Sequence, residues 1–152
     1  MGSSAVVVVG VDGSPGSRTA LEYAAQQATQ LIATLRVVSV FESSGIFGTR
    51  YGLPIPVTDE EIAKKIQEQV GALVDEVIGA LPERPEAQLV VQAGDAGLVL
   101  TAESKNADLL VLAHSDAPGI VRTLLGSVNV HCVLNAHCTV AVVRPPRSAA
   151  AG

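Results

Sequence analysis

The stretch VVVVGVDGSP, residues 6–15, is a β-branched run that stops at Asp12-Gly13-Ser14-Pro15. Val6–Val11 is too short for a helix and shows no polar alternation. It therefore reads as a strand buried on both faces, which is the pattern of parallel sheets. Ser14 is placed to cap a following helix whose first position is Pro15, where a missing N–H does no harm. Leu21, Ala24, Ala25, Ala28, Leu31 and Ile32 then recur at helical spacing.

The same alternation continues outward from this start. Leu35–Phe41 reads as a second strand, Ala87–Gln92 as a third, Asp108–Ala113 as a fourth and Thr139–Val143 as a fifth, stopped by Pro145-Pro146. Thr58-Asp59-Glu60-Glu61 is a capping box. Behind it Ile62, Ile66, Val70, Leu73, Val77 and Leu81 form an apolar stripe that Pro82 ends. Asp95 is placed to cap a short helix running to about Lys105, and Gly126–Ala136 reads as the last helix. Strands alternating with helices imply βαβ units, right-handed crossovers and a five-stranded parallel sheet with helices on both faces. Residues 5–145 form one domain in this reading, with 1–4 and 146–152 as flexible ends.

Composition agrees with such a fold. The chain has 152 residues, of which 48% are hydrophobic but only 3% aromatic, so the core must be aliphatic. Its formal net charge is −5 and its basic residues are scattered, which argues against nucleic acid and anionic membranes as partners. No apolar run approaches the roughly 20 residues of a membrane helix. Two cysteines do not make a disulfide scaffold. With no secretory pattern at the start, a soluble cytoplasmic domain is expected.

In open parallel sheets, ligands sit beyond the carboxyl ends of the strands, near the point where strand order reverses. The segments placed there are Gly10-Val11-Asp12-Gly13-Ser14, Val40-Phe41-Glu42, Ala93-Gly94-Asp95, and Ala113-His114-Ser115-Asp116 with Gly126-Ser127-Val128-Asn129. Gly126-Ser127 is the anion candidate, because a helix N-terminus there would aim free N–H groups at a ligand. The alternative is that Gly126 only permits a turn and Ser127 only caps. Neither a P-loop nor a G-x-G-x-x-G dinucleotide loop is present. A receiver domain is excluded as well: Asp12 stands alone, and the lysines are only Lys64, Lys65 and Lys105.

Residues 107–144, ADLLVLAHSDAPGIVRTLLGSVNVHCVLNAHCTVAVVR, resemble the universal stress protein family, with its A-D-L-[LIV]-V run, L-L-G-S-V-[ST] segment and terminal P-V-[LV]-V-V-R. The opening VVVVGVDGSPGSRTALEYA resembles that family's first strand, V-D-G-S turn and first helix. The resemblance covers roughly Val6–Arg144. It implies a parallel sheet of order 3-2-1-4-5 of the adenine-nucleotide alpha-hydrolase-like type, and a homodimer paired through Thr139–Val143. It also implies a stress-response regulatory role without enzymatic activity, acting with a protein partner the sequence does not name. By this resemblance Asp12 and Val40 would hold the base and Gly126, Ser127, Val128 and Asn129 the phosphate end, with Val11, Gly13, Ser14, Ala113, His114 and Asp116 as further residues of the nucleotide cleft.

Family members that bind ATP resemble G-x-x-G-x9-G-[ST]. Here the corresponding positions read Ala113, Asp116, Gly126 and Ser127. Asp116 adds both a side chain and a negative charge where backbone should approach phosphate. At about 5 Å and an effective dielectric of about 20, one like-charge pair costs on the order of 3 kcal/mol, roughly a hundredfold in affinity. Mg²⁺ bridging Asp116 to phosphate, or Arg122 neutralising it, would offset this cost. Weakened or absent ATP binding is expected, with ATP or another adenine nucleotide of lower charge as the cofactor and Mg²⁺ only alongside it. A nucleotide-free interaction scaffold of the same family is the alternative.

Three further features are weaker. His131-Cys132 and His137-Cys138 offer four soft ligands, but adjacent residues of a helix point about 100° apart, so no metal is expected. Asp12, His114 and Ser127 could be drawn as acid, base and nucleophile, yet nothing in the sequence activates Ser127. The segment Glu42–Val57 holds Phe47 and Tyr51 and reads as a lid, a partner surface or a merely mobile loop.

Overall fold

The computed structural model describes residues 4–43, 57–114 and 119–145, with residues 119–126 described by their backbone alone. The central part of the expected loop after β2, and the two chain ends, lie outside the described residues. The elements run β1 (Val6–Gly10), α1 (Pro15–Leu31), β2 (Thr34–Phe41), α2 (Asp59–Gly79), β3 (Ala87–Ala93), α3 (Ala96–Ser104), β4 (Leu109–Ala113), α4 (Gly119–Asn135) and β5 (Thr139–Val143). All strand pairs are parallel and the order is β3-β2-β1-β4-β5. The direction of winding reverses at β1, which pairs with β2 on one side and β4 on the other.

The valine run forms the middle of the sheet because it has no polar side chain to solvate. Val7 and Val9 point to one face with Leu35, Val37 and Val111, packed against Ala20, Leu21, Ala24 and Ala28 of α1 and Val70, Val74 and Val77 of α2. Val8 points to the other face with Val38, Leu110 and Leu112, packed against Leu100 of α3 and Cys132 of α4. The small alanines of α1 let that helix lie close to the sheet, so both layers are filled almost wholly by aliphatic side chains. Among the described residues no helix is long and apolar enough to cross a membrane.

Local signals account for most element ends. The Thr58 hydroxyl accepts from the Glu61 amide at 3.1 Å while the Thr58 amide donates back to the Glu61 carboxylate at 3.3 Å, the reciprocal capping box read in the sequence. Asp95 caps α3 by accepting from the Leu98 amide at 2.9 Å. Two expectations are corrected. The last helix starts at Gly119, seven residues before Gly126. No proline interrupts residues 119–127, and one glycine inside a helix costs only about 1 kcal/mol, so the helix runs through. Leu31 and Ile32 do not extend the buried stripe of α1: they are 49% and 90% exposed.

Ile32 closes α1 in the left-handed region, with φ 53° and ψ 48°. Glycine usually fills this position, because a Cβ there costs roughly 1–2 kcal/mol. Ile32→Gly relieves that penalty at an exposed site. The expected outcome is a gain of about 0.5–1 kcal/mol, after the entropy that glycine adds to the unfolded chain, read as a higher urea midpoint with an unchanged slope.

Candidate functional site

The site is built around the turn that carries the chain from β1 into α1. Asp12–Pro15 of this turn are exposed, but it starts at buried Val11 and ends at buried Ser17, where backbone polar groups taken out of water need partners. The Val11 amide donates to the Val38 carbonyl at 2.9 Å, and the Ser39 hydroxyl donates to the Val11 carbonyl at 2.7 Å. The Asp12 amide donates to the Ser17 hydroxyl at 3.0 Å, which in turn donates to Asp12 Oδ1 at 2.7 Å. The Ser14 amide donates to the same Oδ1 at 2.9 Å. Gly13, at φ 84°, supplies the left-handed step that folds this loop back.

Ser14 occupies the N-cap position of α1, but its side chain makes no cap bond. This corrects the expected capping role. Asp12 and Ser17 close the turn instead, and both Ser17 and Ser39 are buried. The Asp12 carboxyl is partly shielded by the turn, which works to raise its pKa. The hydrogen bonds from Ser14 and Ser17 outweigh that effect and hold it below the usual carboxylate range.

Beside this turn lies a cleft of about 500 Å³ at the carboxyl ends of β1, β2 and β4. That size is within the range of small-molecule sites. Its apolar surface comes from Val38, Val40, Leu100, Leu112 and Val128, and its polar groups from Asp12, Ser14, His114 and Asn129. Among the described residues no Lys or Arg lines it. Gly10 keeps it open: a Cβ there would sit 3.1 Å from Leu100 Cδ1. Gly16 lets the start of α1 approach β4, since its Cβ would meet the His114 carbonyl oxygen at 3.3 Å.

Of the residues expected from the sequence, Val11, Asp12, Ser14, Val40, Ala113, His114, Val128 and Asn129 come together around this cleft. Gly13 does not line it and serves the turn. Ser127 does not line it among the described residues. Gly126 and Ser127 lie inside α4, where backbone N–H groups are used within the helix, so the expected helix start at Gly126 is absent. Asp116 falls outside the described residues. The Asn129 amide group donates to the Ala113 carbonyl at 2.9 Å and ties α4 to the end of β4.

The sequence reading missed Pro15, Gly16, Val38, Ala96, Leu100, Leu112 and Pro145 as lining residues. Val38 and Leu112 were within reach of it, since each lies two residues before an expected position and strand side chains repeat every second residue. Leu100 and Pro145 arrive only through tertiary packing. The His-Cys pairs do not gather: Cys132 of α4 is buried against the sheet and Leu100 of α3, Cys138 is half-buried just before β5, and burial raises both thiol pKa values. Among the described residues no group of three or more His, Cys, Asp or Glu is placed to hold a metal ion.

Residues 5–144 match the universal stress protein family. The chain belongs to that family. A universal stress protein of Methanocaldococcus jannaschii is 29% identical over 93% of this chain and 82% of its own length. The mycobacterial relatives are longer, and the chain spans about half of them, 51% in one from Mycobacterium tuberculosis. Among solved structures, a universal stress protein in complex with cAMP aligns with a TM-score of 0.59 at 23% identity, over 94% of this chain and 98% of its own. One from Archaeoglobus fulgidus in complex with dAMP aligns with a TM-score of 0.59 at 19% identity, over 93% and 98%. At these identities the structural likeness shows the fold.

The hydrogen bonds on Asp12 make the turn sensitive to acid. Its native pKa is depressed, so the stability it contributes is present above the ordinary Asp value of about 3.9 and is lost as pH falls through the lower native value. Asp12→Asn is therefore expected to lower the urea midpoint near neutral pH, and the gap to wild type is expected to narrow as the pH falls below the ordinary Asp value of about 3.9. Paired urea titrations across that range check both the direction and the window.

Proposed function

We propose that this universal stress protein is a regulatory module that binds an adenine nucleotide of low charge in the cleft beside Asp12. The observation that carries the reading is the lining: apolar walls suited to a flat base, one depressed carboxylate at the rim, and no cation among the described residues. A triphosphate brings about four negative charges that such a lining does not balance, and Asp116 adds a further one in the sequence. A nucleotide with a single phosphate brings one or two. Relatives of this fold in complex with cAMP and dAMP support the same ligand class.

In this reading Asp12 and Val40 hold the base, while Val128 and the end of β4 face the sugar. Mg²⁺ enters only with a nucleotide. The protein binds without turning its ligand over, and it acts in the cytoplasm. It works as a homodimer through β5, an edge strand on which Val142 is 39% exposed. The exposed apolar residues Val130, Val133 and Leu134 on neighbouring α4 are consistent with such an interface.

Calorimetry with AMP, cyclic AMP and ATP tests the ligand class. AMP or cyclic AMP is expected to bind at least roughly tenfold more tightly than ATP, and a sub-micromolar ATP affinity would overturn the proposal. Binding of none of the three, with no nucleotide released on denaturation, favours the nucleotide-free scaffold. Light scattering after gel filtration is expected to give twice the chain mass, falling to one on Val142→Asp.

A further inference from the structure

We infer that Ser17 is a positioning residue, which holds the Asp12 carboxylate so that Oδ2 alone is presented to an exocyclic amine on the ligand. The inference rests on the proposed nucleotide cleft and extends it to a residue outside the lining. Ser17 has no exposed surface and lies at the third position of α1. Its hydroxyl has one proton. An ionised carboxylate only accepts, so that proton must go to Asp12 Oδ1, at 2.7 Å, while a lone pair takes the Asp12 amide at 3.0 Å. The Ser14 amide adds a second bond to Oδ1 at 2.9 Å.

The amide of Ser14 and the hydroxyl of Ser17 converge on Oδ1, and the Ser14 hydroxyl also bonds the carboxyl, so its rotation is fixed. Asp12 lines the cleft, and in this inference Oδ2 is the acceptor that meets an N–H donor on the base edge. Depression of the Asp12 pKa by the same hydrogen bonds keeps that acceptor ionised. A site of this kind discriminates against an analogue lacking the donor, because the carboxylate is desolvated without receiving a bond in return. Contacts to a charged group of this sort correspond to roughly ten- to a hundredfold in affinity.

The test compares AMP with purine riboside monophosphate, which has the same ring and charge but lacks the amine. Wild type is expected to prefer AMP by about tenfold or more. Ser17→Ala and Ser17→Cys are expected to reduce that preference to within about twofold. Ser39→Ala serves as the comparison: it removes a buried hydroxyl from the same turn but leaves the Asp12 bonds in place. It is expected to lower the melting temperature while keeping the preference.

A second readout needs no ligand. In a ¹³C titration, the Asp12 carboxyl is expected to titrate at higher pH in the Ser17 variants and at the wild-type value in Ser39→Ala. A folded Ser17 variant that keeps the AMP preference, or whose Asp12 titrates as in wild type, overturns the inference. If wild type binds neither compound, the proposed ligand class fails and the amine selection with it. The titration then still decides whether Ser17 holds Asp12.

Discussion

The turn between β1 and α1 leaves the centre of the sheet at buried Val11 and re-enters at buried Ser17, and the polar groups at these two ends must be answered from within. Two buried hydroxyls do most of this. Ser39 reaches from β2 to the Val11 carbonyl, and Ser17 reaches back from α1 to the Asp12 amide and carboxylate. Without such partners each buried group would cost about 1–3 kcal/mol, so an all-aliphatic chain could not pass through this point. Because the turn is closed, the valine strand can stay buried on both faces. α1 can then pack its alanines directly on the sheet.

The same constraint produces the cleft. Winding reverses at β1, so the crossovers leave in opposite directions and open a gap at the carboxyl end of the sheet. Gly10 and Gly16 keep that gap free of side chains, while β2, β4 and α3 supply its apolar walls. The carboxylate that closes the turn stands at the edge of the opening. Structure and binding therefore share Asp12, which ties the chemistry of the site to the stability of the fold.

Much of the fold was legible in the sequence because its signals are local. A β-branched run without polar alternation, Ser14-Pro15 before a helical pattern, and the Thr58–Glu61 box each act over a few residues. The β5 range was read directly from Thr139–Val143. The errors arose where a local pattern had two solutions. Leu31 and Ile32 fit the helical spacing, but the chain had to leave α1 there to enter β2, so Ile32 adopts a left-handed conformation in solvent. Gly126 followed by Ser127 fits a helix start, but nothing in the composition of residues 119–125 prevents α4 from starting at Gly119.

The sequence by itself determined the class of fold, the aliphatic core and the position of Asp12 at a strand end, since periodicity and chain order are one-dimensional properties. Tertiary structure alone decided which side chains share the cleft. Leu100 and Pro145 reach it from elements far from Asp12 in the chain. It also decided that Ser17, an ordinary helix serine by sequence, carries the bonds that orient the carboxylate. Hydrogen bonding depends on distances of about 3 Å between groups, and these exist only once the strands have been brought into register.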